Sequence, residues 1–312
     1  ARPCNLYEGF VGVGRMPFNS TPDSNVFFPS AKHKEALSRL VYAISERKGF
    51  VMISGEIGAG KSTLCRTLLA QLPNEVQTAY ITHTYLDGNQ LVRAIAEDMG
   101  LEIRGLSHYD VLKMLNEHLI EQMARGCTVC IIIDEAQNLS PQALEEVRMI
   151  SNLETEQEKL VQLILLGQPD LRDKIRLPEL KQLRQRISVQ FHLEPLDQEE
   201  TIGYITHRLK IANPAQELKF PKRSMIEIFR YSEGVPRLIN ILCDNALLTA
   251  FTQGKRSITP AMVAEAGRDL DLEPGNTGLS QFFKFWYASV KIERLQADSV
   301  LKTSSLTAGD LA

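Results

Sequence analysis

Between Gly55 and Ser62 the chain reads GEIGAGKS, which fits GxxxxGK(S/T) and lies between a short apolar run, Phe50 to Ser54, and a helical pattern that starts at Lys61. Glycines in such a loop let successive backbone N–H groups curl around an anion, and the following helix turns its positive end toward it. Gly55, Glu56, Ile57, Gly58, Ala59, Gly60, Lys61, Ser62 and the adjoining Thr63 are therefore the expected cradle for the phosphates of ATP. Lys61 would reach the β- and γ-phosphates, and the Ser62 hydroxyl would bind Mg²⁺.

A second group of chemistry-bearing residues follows in VCIIIDEAQN, where Asp134 and Glu135 end an apolar strand. Adjacent carboxylates leaving a core strand are costly unless they meet a cation or a proton donor. A Walker B role supplies that reason, with Asp134 holding Mg²⁺ through water and Glu135 acting as general base on the attacking water. A plain helix N-cap at Asp134 is the competing reading. Gln168 ends LILLGQ and suits a hydrogen bond to the γ-phosphate or the lytic water, although a turn in GQPD would use it equally. Arg184 and Arg186 in LRQRI suit an arginine acting in trans on a neighbouring subunit's ATP, or an ordinary solvated helix end. In GVPRLIN, Pro236 fits the first turn of a helix, and Arg237 would project back toward the phosphates. The expected catalytic set is thus Glu135, Lys61, Gln168, Arg186, Arg184 and Arg237, with Pro236 beside the nucleotide.

The elements that must position these groups follow from period and composition. Short apolar strands are expected at Phe50 to Ser54 and at about Thr78 to Thr82, Val129 to Ile133, Leu160 to Leu166 and Ile187 to Leu193. Helical spacing fills the intervals from Lys34 to Arg47, Lys61 to Leu72, Gln90 to Met99, Tyr109 to Ala124 and Gln142 to Leu153. Continuous apolar strands alternating with helices predict an α/β fold whose mainly parallel sheet is sandwiched by helices. After Pro195 only helical patterns remain, at about 198–211, 222–231, 236–252 and 260–269. The expected organisation is an N-terminal arm over 1–30, a nucleotide domain over 31–194, a small all-α lid over 195–271, and over 272–312 a linker, one aromatic helix around Trp286 and a polar tail.

Composition narrows the classes. The 312 residues are 44% hydrophobic and carry 35 Lys and Arg against 38 Asp and Glu, a net charge of −3, so no global basic field drives nucleic-acid binding. Five cysteines spread through apparent core elements suit reduced thiols, and Cys127 and Cys130 in CTVCIIID read as core rather than as a metal or redox pair. No leader pattern and no long apolar run is visible, which predicts a cytoplasmic protein with no integral membrane span, peripheral to the inner membrane at most through a partner.

Walker A, Walker B, a polar sensor, paired arginines and G-x-P-R in a helical lid together resemble an AAA+ ATPase. More narrowly, PF-x-x-TPD, FF-x-S-x-x-H-x-EAL, GE-x-G-x-GKSTL-x-R-x-LL, IIDEAQNL, LLGQPDL, LRQRI and GVPRLIN look like the ExeA/GspA-type secretion ATPases and their MshM-like relatives, over about residues 7 to 270. The resemblance implies a P-loop AAA+ fold, use of ATP and Mg²⁺, an ATP-dependent homo-oligomer, and a protein partner in assembly of an envelope secretion, pilus or polysaccharide-export system. It assigns Gln168 as sensor 1, Arg186 (or Arg184) as finger and Arg237 as sensor 2. It also implies that Phe18 to Phe28, with Pro17, Thr21 and Pro22, help cover the adenine. The same core is similar to TnsC/IstB-type transposition ATPases, which makes an ATP-dependent ring or filament on DNA the alternative. A nucleotide-dependent scaffold with negligible turnover is a third reading.

Overall fold

The computed structural model describes residues 16–19, 21, 23–153, 159–212 and 218–275. The chain before Met16, Pro22 and the aromatic segment around Trp286 lie outside the described residues. In chain order the elements are α1 (Ala31–Ser45), β1 (Phe50–Gly55), α2 (Lys61–Leu69), β2 (Val76–Ile81), α3 (Gly88–Asp98), α4 (His108–Ala124), β3 (Thr128–Ile133), α5 (Pro141–Ser151), β4 (Val161–Gly167), α6 (Pro169–Ile175), α7 (Lys181–Arg186), β5 (Val189–Leu193), α8 (Gln198–Ala212), α9 (Lys222–Ser232), α10 (Pro236–Thr252) and α11 (Pro260–Asp269).

The five strands form one parallel sheet in the order β2-β3-β4-β1-β5. Because successive strand residues point to opposite faces, the unbroken apolar runs serve two cores at once. Val129, Ile131 and Ile133 of β3, with Leu163 and Leu165 of β4, pack against the apolar faces of α3, α4 and α5. Cys130 and Ile132, with Ile164 and Leu166, pack on the other face against Leu40 and Ile44 of α1 and Leu64 and Leu68 of α2. Helix starts are fixed by side-chain acceptors: Ser30 for α1, a reciprocal Asp87–Gln90 box for α3, Ser107 for α4 and Ser140 followed by Pro141 for α5. The short helix α6, of seven residues, was not expected, since it spans too few turns to show a period, and the six-residue α7 was foreseen only as a helix end at Arg184 and Arg186.

The chain falls into two compact units. One is Ser20–Leu196 with Val235–Arg237; the other comprises Asp197–Gly234 and the described parts of Ala1–Asn19 and Leu238–Ala312. The break after Leu196 comes where the strand pattern stops. Two short segments leave chain order: 235–237 group with the sheet, and 17–19 group with the helices.

In the helical unit, Ile205, Ile228, Ile239, Leu242, Cys243 and Val263 are buried. Tyr231 lies so close over Gly267 that a Cβ there would meet its ring at 2.5 Å. The segment 17–19 is held by Arg208, whose Nε donates to the Pro17 carbonyl at 2.6 Å and whose Nη2 donates to the Asn19 carbonyl at 2.8 Å. Between those two bonds Phe18 is buried edge-to-face against Phe220, with ring centroids 5.7 Å apart.

Candidate nucleotide site

In a parallel sheet the loops that can carry a site leave the C-terminal strand ends, and β1, β3 and β4 end side by side here. The Walker A loop leaves β1 and closes at Gly60, which caps α2 at φ 100° with no side-chain acceptor. An α-helix leaves its first-turn N–H groups without intrahelical partners. At α2 no side chain takes them, which leaves the positive end of the helix open to an anion.

Two glycines of the loop are there for space and for backbone conformation. Gly58 has φ 79°, and a Cβ on it would lie 2.5 Å from Cβ of Arg237. The Arg237 N–H donates to the Gly58 carbonyl at 3.3 Å, so the segment 235–237 is seated on the loop. Gly60 likewise has no room for a Cβ, which would fall 2.8 Å from Nε2 of His33.

Lys61 is buried, and its ammonium folds into the loop, donating to the carbonyls of Gly55 at 2.8 Å and Glu56 at 2.9 Å. Burial lowers its pKa from the ordinary lysine value, while the nearby carboxylates of Glu135, Asp134 and Glu56 act to raise it. A polyphosphate in the loop would act in the same sense as those carboxylates.

Ser62 donates to Oδ2 of Asp134 at 2.7 Å, and the Tyr80 hydroxyl donates to the same oxygen at 3.0 Å. Burial, and the Asp134 charge next, push the Tyr80 phenol far above its ordinary pKa, so it stays a donor. Oδ1 of Asp134 accepts the Glu135 N–H at 2.9 Å. Among the described residues there is no cluster of three His, Cys, Asp or Glu side chains suited to a metal. One hydroxyl and one carboxylate, both hard oxygen donors, fit Mg²⁺, which takes few protein ligands and completes its shell from phosphate and water.

Glu135 leaves the strand in the left-handed region, at φ 53°. Its Oε2 accepts Nε2 of Gln137 at 2.5 Å and Nε2 of Gln168 at 3.1 Å. The other end of the Gln137 amide, Oε1, accepts the backbone N–H of Gln168 at 3.0 Å. Lys174 of α6 donates to the carbonyls of Gln137 and Leu139 and so ties this turn down. Thr84, after β2, donates to the Glu135 carbonyl at 3.0 Å.

The structure thus brings together Gly55 to Thr63, Asp134, Glu135, Gln168 and, through its backbone, Arg237 beside Pro236. Arg184 is exposed and Arg186 half-buried in the last turn of α7. Tyr80, Gln137, Thr84 and Lys174 were not singled out in the sequence. Tyr80 is a polar tip on a strand and Gln137 stands three residues after Asp134; neither spacing identifies a partner. Cys130 is buried in β3 and Cys127 precedes it; burial pushes the Cys130 thiol up to about 12.

The family described as AAA domain matches residues 44–175, which take in both the loop and the Asp134–Glu135 pair. Residues 44–175 form an AAA domain. The chain is 37% identical over 266 residues to General secretion pathway protein A of Aeromonas hydrophila, covering 85% of this chain and 48% of that protein. The chain therefore spans about half the length of that relative. Solved structures agree on the fold: the ORC2 protein of Aeropyrum pernix in its ADPNP–ADP complexes (TM-score 0.62, 18% identity, 81% of this chain and 71% of that one) and Cdc6p of Pyrobaculum aerophilum (TM-score 0.62, 20% identity, 79% and 71%). No helix among the described residues is long and apolar enough to cross a membrane.

Proposed function

We propose that this protein is an ATP-hydrolysing oligomeric motor or switch that serves assembly of an envelope secretion, pilus or polysaccharide-export system through a protein partner. The observation that carries this reading is the 37% identity to General secretion pathway protein A over 85% of the chain. A cytoplasmic position, against the inner membrane only through that partner, belongs to the same reading.

In the proposed reaction the amides of Gly58 to Thr63 and the Lys61 ammonium hold the β- and γ-phosphates. Ser62 and, through water, Asp134 would hold Mg²⁺, which when bound supplies positive charge to the phosphate oxygens. Glu135 takes a proton from the attacking water, the new bond forms to the γ-phosphorus, and the bond to the β–γ bridging oxygen breaks to release ADP and phosphate. With both amides on Oε2, Oε1 of Glu135 is left to accept that proton. Gln168 would meet the γ-phosphate or the lytic water as sensor 1, Arg237 would act as sensor 2, and Arg186, with Arg184 as alternate, would act on the ATP of a neighbouring subunit.

Electron microscopy of the full chain with a slowly hydrolysed ATP analogue, with and without duplex DNA, tests the reading, together with phosphate release by wild type and Glu135→Gln. ATP-dependent rings without DNA and turnover lost in Glu135→Gln support it. Filaments that form only on DNA, with steep salt dependence, would transfer the protein to the transposition class, and absence of turnover in wild type would make it a scaffold.

A further inference from the structure

His33 sits in the first turn of α1, 5% exposed, on a face otherwise made of Ala36, Leu40, Ala43 and Ile44. Its ring is fastened at both nitrogens. Nε2 lies 3.1 Å from the carbonyl oxygen of Ala59, inside the Walker A loop, and Nδ1 lies 2.8 Å from Oγ of Ser30. A carbonyl oxygen only accepts, so Nε2 carries the proton and donates. The ring of Phe27 meets the imidazole edge-to-face at 5.8 Å.

The consequence lies in the peptide between Ala59 and Gly60. No cis bond occurs among the described residues, and in a trans peptide the C=O and the N–H point in opposite directions. Pinning the Ala59 oxygen to His33 therefore turns the Gly60 N–H away from His33. Gly60, at φ 100° and without a Cβ, offers little steric resistance to rotation of that peptide. A rotation would offer an oxygen where the loop should offer an N–H, and an oxygen repels a phosphate. The helix behind the loop has Gly60 itself as N-cap, and its Leu64 N–H donates to the Gly60 carbonyl at 2.8 Å, which fixes the next peptide rather than the one between Ala59 and Gly60.

We infer that His33 is a positioning residue for nucleotide binding: its Nε2–H fixes the Ala59–Gly60 peptide so that the Gly60 amide faces the polyphosphate. This rests on the reading of the loop as the ATP site. His33 acts through the loop backbone and has no part in proton transfer, so its loss weakens binding while turnover at saturation survives.

The test is the Kd for ADP and for a slowly hydrolysed ATP analogue, by calorimetry on the full chain, with kcat and KM for ATP. His33→Ala should raise Kd about tenfold, from one buried carbonyl losing its donor, with kcat within about twofold of wild type. His33→Gln, whose amide N–H can replace Nε2–H, should recover most of the affinity. Ser30→Ala keeps the ring and loses its orienting hydroxyl together with the N-cap of α1, so its Kd should rise less than that of His33→Ala; it serves as the readout if His33→Ala does not fold. Unchanged Kd in His33→Ala, a fall in kcat as large as the rise in KM, or no recovery in His33→Gln overturns the inference and leaves the ATP site standing. Failure of wild type to bind either nucleotide removes both.

Discussion

Ser62 and Asp134, seventy-two positions apart, are joined by a hydrogen bond of 2.7 Å from Oγ to Oδ2. The contact exists because β3 and β1 flank β4 in the sheet, so the end of one strand faces the helix start that follows the other. It brings the two proposed Mg²⁺-binding oxygens together before any nucleotide arrives. Asp134→Asn keeps the shape and removes the charge. It should require about 10- to 100-fold more Mg²⁺ for half-maximal turnover, measured as phosphate release across a Mg²⁺ titration.

Glu135 and Gln137 call for separate outcomes. Glu135→Gln removes the base and should lower kcat by about 10²- to 10⁴-fold while ATP still binds. Gln137→Leu removes two hydrogen bonds at once, one to Oε2 of Glu135 and one to the Gln168 N–H, and leaves the carboxylate itself. A base that is present but loosely aimed should cost about tenfold in kcat with little change in KM. Steady-state kinetics of the two variants and of their double mutant measure this, and the double mutant should be no slower than Glu135→Gln alone.

These residues show what a sequence makes visible and what it hides. Apolar runs and helical spacing identify the five strands and the long helices, and GEIGAGKS identifies its own loop, because each depends on residues near one another along the chain. Gln137 could not be recognised in this way: its partner Gln168 is 31 positions away and is brought near only by the order β3-β4. Tyr80 reaches Asp134 across 54 positions, and His33 reaches Ala59 across 26. A polar residue on an apolar face announces that some partner exists, and the sheet order decides which one.

The helical unit contains a second long-range clamp. Arg208 satisfies the carbonyls of Pro17 and Asn19 on either side of the buried Phe18. Arg208→Met keeps much of the packing and leaves both oxygens without those donors, which should cost roughly 1–3 kcal/mol. Phe18→Ala removes the ring against Phe220 and should cost about 3–5 kcal/mol. Urea unfolding followed by circular dichroism checks both, and Phe18→Ala should be the larger loss.

His192 of β5 gives the stability a pH dependence whose sign follows from its surroundings. Its Nδ1 lies 3.0 Å from Oγ of Ser54 on β1. Burial lowers its pKa from the ordinary 6.5, helped by the Arg172 and Lys61 cations and opposed by Glu56 and Glu194. The unfolded chain therefore takes up this proton at a higher pH than the native protein does. Between the ordinary value and the lowered one, the unfolded state holds more protons, so stability falls as pH falls through that interval. Above the ordinary value both states are neutral at this site, and the contribution is complete; below the lowered value both are charged and no further loss occurs. His192→Gln cannot titrate and keeps a polar group beside Ser54. Its Tm should drop less than that of wild type when the pH is taken from 7.5 to 5.5, read by differential scanning calorimetry at constant ionic strength. Equal drops in the two proteins would mean that the acid sensitivity arises at other groups.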